Sequence, residues 1–124
     1  MNELALIILV AGLLPYICAG IAKWGARDYD NHHPRAWIGH LQGFRARADA
    51  AQHNSFEAFP LFAFAIIVPA LFDAEPDEIA LWGWVYIVLR LGYIYCYLSD
   101  RTSLRSLIWI LALGVVIRLF MLAM

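Results

Sequence analysis

Four long apolar runs, separated by short polar stretches, set the pattern of this chain. The first extends from Leu4 to Trp24. The second, Phe56 to Phe72, follows a polar lead-in from Ala46 to Ser55. Ile79 to Leu98 and Leu104 to Met124 complete the set. Each run is near the roughly 20 residues that a helix needs to cross a bilayer. A membrane-spanning segment must satisfy its own backbone hydrogen bonds, and the connections here are short, so the pattern predicts helices with antiparallel neighbours. The expected fold is an all-α integral membrane protein, a four-transmembrane-helix bundle. One domain over residues 1–124 has spans at about 4–24, 46–72, 79–98 and 104–124.

The first run is not expected to be a cleaved signal: no basic residue precedes it, and its apolar stretch is too long. Leu6, Leu9, Leu13 and Tyr16 are expected to pack inward, with Gly12, Ala19 and Gly20 permitting close helix approach. Pro15 is tolerated where neighbours satisfy the freed carbonyl. In the second run, Pro60 predicts a bend just past a polar stripe.

That stripe is the first departure from a purely lipid-facing design. On a helix, Arg47, Asn54 and Glu57 lie at spacings of seven and three, with Ala50 between, and share one face. Polar groups at such depth are costly unless they face a bundle interior or a wet cavity, so they mark a functional-site hypothesis. The plainer alternative is an Asn–Glu pair that joins helices. Tyr86, Arg90, Tyr93, Tyr97 and Arg101 make a second stripe, on the third span. Arg90 lies too deep to snorkel and is expected to pair with Glu57. The plainer reading of this stripe is a structural ion pair with an interfacial tyrosine belt. The third connection, Ser99 to Ser106, is a tight turn in which Asp100, Thr102 or Ser103 is expected to cap the fourth helix, with Arg101 and Arg105 beside its N-terminus.

Composition sharpens the picture. The chain is 63% hydrophobic and 15% charged, far from the balance of a soluble domain. Its net charge of −1 conceals an uneven layout. Lys23, Arg27, Arg35, Arg45 and Arg47 surround the first connection, and Arg101 and Arg105 occupy the third. The second connection, Asp73 to Glu78, is acidic. The positive-inside rule then places connections one and three in the cytoplasm and both termini outside it. Lys23 and Arg27 read as snorkelling anchors or as the rim of an anion cavity. Arg118 reads as a snorkelling or inter-subunit residue. Cys18 and Cys96, inside spans, read as inert packing residues. The Asp28–His33 cluster reads as solvated loop rather than a metal site.

Together these residues predict an electropositive, tyrosine-lined cleft at the cytoplasmic side, formed by Arg47, Asn54, Glu57, Arg90, Tyr93, Tyr97, Arg101 and Arg105. Arginines clamp carboxylates, Glu takes up an ammonium group, and an Arg beside a helix N-terminus favours a thiolate. No phosphate loop, dinucleotide fingerprint or Ser/His/Asp arrangement competes, and no nucleic-acid partner is expected.

The run Arg47 to Phe62, with Asn54, Glu57, Pro60, Leu61 and Phe62 in their places, resembles the membrane-associated proteins in eicosanoid and glutathione metabolism, the MAPEG family. So does the later pattern of Arg90, Tyr93, Tyr97 and Arg105. The resemblance covers nearly the whole chain and is nearest to the small bacterial branch. It implies a homotrimer in the membrane, the inner membrane for a bacterium, with glutathione as co-substrate held between subunits near the cytoplasmic face. By resemblance, Asn54 and Glu57 bind the glutathione backbone, and Arg90, Tyr93 and Tyr97 line the pocket. Arg105, with Ser103 as a further candidate, stabilises the thiolate. The implied activity is a transferase or peroxidase acting on lipophilic small molecules from the bilayer. Ala50 departs from the pattern, because characterised animal members carry an arginine four residues before the asparagine; Arg47, one turn earlier, starts about 4.5 Å further along the axis. Two alternatives differ in class. One is a four-helix proton-coupled exporter using Glu57, against which the arginine-rich lining argues. The other is a non-catalytic membrane scaffold.

Overall fold

A computed structural model describes residues 2–124 and contains five helices: α1 (Asn2–Lys23), α2 (Pro34–Ile38), α3 (Gly43–Leu71), α4 (Pro76–Leu98) and α5 (Thr102–Met121). Four of them are long and apolar enough to cross a membrane. The second spanning helix starts three residues earlier than the sequence predicts, so the polar lead-in and the apolar run are one 29-residue helix. Pro60 and Pro69 both lie within it. The first connection is not wholly irregular: Pro34 opens the one-turn helix α2, where its missing N–H costs nothing. Beside it Tyr29 meets Trp37 edge-on, with ring centroids 4.9 Å apart.

The other two connections use one device. Asp73 and Asp100 both have φ of 60°, the left-handed conformation that short polar side chains tolerate after a helix end. The following amides, of Ala74 and Arg101, donate back five residues to Pro69 O (3.0 Å) and Cys96 O (2.8 Å). Each turn thereby satisfies carbonyls that the helix end would orphan. Pro76 at the start of α4, with Asp77 and Glu78 in its first turn, launches the next helix with the charge its dipole favours.

Helices α3 and α4 form the middle of the bundle. Helix α1 packs on both, and so does α5. The inward face of α1 differs from the sequence expectation. Leu4, Ile7, Ala11, Leu14, Cys18 and Ala22 are buried, whereas Leu6, Leu9, Leu13 and Tyr16 are 46–62% exposed on the chain's outer surface. The buried face carries the small residues that allow close approach, while large apolar residues are equally at home in lipid. The tightest crossing is at Gly83 of α4, where a Cβ would stand 3.0 Å from Ile7 and 3.1 Å from Ile66. Phe62 and Tyr86 stack between α3 and α4, with ring centroids 3.8 Å apart and planes 8° from parallel.

Two arginines at the start of α3 tie that end of the bundle together. Arg45 Nη1 donates to Ala22 O at the end of α1 (2.8 Å), and Arg47 Nε donates to Leu98 O at the end of α4 (3.2 Å). Cations on terminal carbonyls also complement the helix dipoles. At the other end, Arg118 of α5 binds Glu78 of α4 at 2.6 Å and lies over the Trp82 ring. Its guanidinium is therefore paired within the chain and does more than snorkel.

Candidate functional site

The site is organised by Arg90, which is 2% exposed in the middle of α4. Its expected partner, Glu57, is not the one it takes. Arg90 Nη2 donates to Asn54 Oδ1 (2.8 Å) and to Ser55 Oγ (3.2 Å), both on α3. Asn54 and Ser55 both reach the guanidinium, whereas Glu57 lies on the far side of Asn54 from Ser55, about 60° round the helix, and is exposed. Arg90 thus keeps its charge among neutral acceptors. Its guanidinium carbon also lies 4.3 Å from the centroid of the Tyr93 ring, a favourable cation–π placement.

One turn along α4, Tyr97 repeats the arrangement with Arg105 from the start of α5, again at 4.3 Å. Tyr93 and Tyr97 meet edge-on at 5.7 Å. Arg90, Tyr93, Tyr97 and Arg105 therefore run cation, ring, ring, cation along a groove bordered by α3, α4 and α5. A guanidinium over a ring face spends none of its N–H donors on the contact, which leaves donors for an anionic ligand.

Two open cavities follow this groove. One, of about 240 Å³, is bordered by Asn54, Glu57, Tyr86, Arg90 and Trp109, with an apolar floor from Leu61, Leu113 and Val116. The other, of about 420 Å³, is bordered by Asn54, Tyr93, Tyr97, Arg105, Ser106 and Trp109. Asn54 and Trp109 belong to both, so the two form one trough from the start of α5 into the apolar zone. Glu57 and Arg90 border the same opening without touching.

The remaining sequence candidates lie elsewhere. Arg47 borders neither cavity, its Nε being directed to the end of α4. Arg101 is exposed and is itself the N-cap residue of α5, with no side-chain cap bond, so neither Asp100, Thr102 nor Ser103 caps this helix. Ser103 is exposed and outside both cavities. Three further polar or aromatic residues of the site carry no clear sequence signal. Ser55, which accepts from Arg90 behind the cavities, looks like helix packing, and Trp109, which borders both, looks like an interface anchor. Ser106, one residue beyond Arg105, borders the second cavity while its hydroxyl donates to Thr102 O (3.2 Å). Its only sequence signal was being a hydroxyl in the first turn of α5.

In the first connection, Asp30 accepts from the His32 amide (2.9 Å) and contacts His33 Nδ1 at 3.2 Å. These acidic and imidazole groups are engaged in closing a local exposed turn. Lys23 lies over the Tyr29 ring at 4.7 Å, fixing the loop to the end of α1.

Fold and site together define a multi-pass integral membrane protein of four spanning helices, the last three of which border an open trough. The sequence matches the family model described as "MAPEG family" over residues 4–124. The chain belongs to the MAPEG family of membrane proteins, associated with eicosanoid and glutathione metabolism. A comparison with curated proteins returned no match.

Proposed function

We propose that the protein is a membrane-bound, glutathione-dependent transferase or peroxidase that acts on lipophilic electrophiles. The observation that carries this reading is the pair of adjoining cavities, sharing Asn54 and Trp109, that between them are bordered by Glu57, Arg90, Tyr93, Tyr97 and Arg105. Glutathione has two carboxylates, an ammonium group and a thiol. The guanidinium donors of Arg90 and Arg105 suit the anionic groups, and the exposed Glu57 carboxylate suits the ammonium. The Asn54 amide keeps its N–H₂ donors while its oxygen holds Arg90.

In the transferase step, Arg105 stabilises the sulfur as thiolate and its proton passes to water. The thiolate attacks the electrophilic carbon, a C–S bond forms, and the leaving group departs with its electron pair. The apolar floor of Leu61, Leu113 and Val116 gives the lipophilic partner a place continuous with the bilayer side of the groove. A homotrimer, the assembly implied by the family, would place a neighbouring subunit against the open side of each trough. Connections one and three, with the trough mouth between them, face the cytoplasm on this reading, and both termini lie outside it.

Membranes carrying the protein are expected to conjugate glutathione to 1-chloro-2,4-dinitrobenzene above background, and the purified protein to bind glutathione by calorimetry. Failure of both would overturn the proposal.

A further inference from the structure

A second feature shares no residue with the trough. The last turn of α1 and the first turn of α3 leave a crevice of about 390 Å³, walled by Ile21, Trp24, Gln42, Phe44 and Arg45. Its walls are apolar and open: Trp24 is 85% exposed and Phe44 is 48% exposed. Trp24 ends the apolar run of α1, the depth at which amphipathic rings settle among lipid headgroups.

Within this apolar setting stands one cation. Arg45 is half-buried and held by its Nη1 bond to Ala22 O. Among the described residues no carboxylate lies within ion-pair distance of it. Its other nitrogen, Nη2, faces Gly25, which lies in the left-handed region at φ of +70°; even a Cβ there would come no nearer than 4.0 Å. The guanidinium is therefore oriented and lacks a counter-charge, and the adjoining glycine leaves it uncovered. The exposed Gln42 amide adds donors at the rim.

We propose that this crevice binds the phosphate headgroup of an anionic phospholipid. The N–H groups of Arg45 not given to Ala22 take the phosphate oxygens in the paired geometry that guanidinium favours. Trp24, Phe44 and Ile21 flank the glycerol and the first methylenes of the acyl chains. A free phosphate ion would use the cation but would leave those rings without a role.

The test is native mass spectrometry of the full chain, released from detergent micelles doped equally with phosphatidylglycerol and phosphatidylcholine. Wild type is expected to retain phosphatidylglycerol preferentially. Arg45→Gln should reduce that preference about five-fold, the effect of one basic residue at an anionic surface. That change also removes the bond to Ala22, so a Trp24→Ala/Phe44→Ala double variant, which leaves the bond in place, provides an independent arm. It should retain less phosphatidylglycerol than wild type, and it decides alone if Arg45→Gln fails to fold. Equal retention of the two lipids by wild type, or undiminished phosphatidylglycerol retention in the double variant, would overturn the site. So would displacement of phosphatidylglycerol by millimolar inorganic phosphate, which would identify a soluble-anion site instead. Glutathione conjugation does not enter these readouts.

Discussion

Arg90 and Asn54 meet across the α3–α4 crossing at 2.8 Å, and this bond holds the buried cation against the wall of the trough. A charged side chain within a spanning helix costs up to about 3 kcal/mol toward lipid on insertion scales, the full figure applying at the helix centre. Neutral acceptors offset that cost without neutralising the charge, so Arg90 remains able to attract an anion. A carboxylate partner would have cancelled the field on which the proposed binding depends.

Asn54→Ala should therefore weaken both fold and site. Losing a hydrogen bond to a charged group costs on the order of 1.5–3 kcal/mol, with Ser55 left as the remaining acceptor. Thermal unfolding in detergent should shift downward, and glutathione affinity by calorimetry should fall roughly ten-fold or more. An unchanged affinity would remove Asn54 from the binding site.

Glu57→Gln separates the enzyme from the exporter. The Glu57 side chain is exposed, and among the described residues it has no ion-pair partner. The variant should fold as wild type while binding glutathione about ten-fold more weakly, the scale of one charge-assisted bond. Loss of proton-coupled drug efflux in this variant, with glutathione binding intact, would instead support the exporter.

Arg105 stands apart from the binding residues in its predicted kinetics. Arg105→Ala should lower kcat by about 10²–10³, as removal of one donor to a developing or stabilised anion does, with a smaller change in KM. Arg105→Lys restores the charge but not the planar stacking on Tyr97, and should recover only part of the rate. Wild-type rates in Arg105→Ala would exclude it from thiolate stabilisation.

Gly83→Val should loosen the bundle. Its new side chain would meet Ile7 and Ile66, an overpacking that costs typically 1–3 kcal/mol. Combining it with Ile7→Ala should recover part of the loss in a detergent unfolding assay. Independent, additive effects of the two changes would show that the residues are not in contact.

Orientation has its own test. A periplasmic alkaline phosphatase fused after Met124 is expected to be active, because the basic connections flanking α3 and α5 should stay in the cytoplasm. Activity confined to a cytoplasmic reporter would invert the arrangement.

The four spans were legible because bilayer length and apolar composition act together on each run. The inward face of α1 was not. Leu9 and Leu13 satisfy lipid as well as protein interior, and the small residues Ala11, Cys18 and Ala22 that decide close packing carry little hydropathy signal. Spacing on single helices put Asn54 and Glu57 on one stripe and Arg90, Tyr93 and Tyr97 on another. It could not supply the relative height and rotation of α3 and α4, which give Arg90 to Asn54 and Ser55 rather than to Glu57. Likewise Arg47 shares a helical face with Asn54, yet the end of α4 lies within its reach and takes its Nε. The tight turn before α5 is legible, but Asp100 reads as a candidate N-cap until the backbone shows it in the left-handed conformation, and Asp73 reads only as part of an acidic connection.

The length of α3 has a consequence for where chemistry would take place. Its 29 residues extend about 43 Å at 1.5 Å per residue, whereas the hydrocarbon layer is about 30 Å thick. Standing near the membrane normal, α3 projects some two turns past the oily layer, and the basic first connection marks the end that projects. Asn54 and Glu57 then sit near the boundary between the two solvents. A water-borne thiol and an oil-borne electrophile would each travel only to the edge of its own phase to meet.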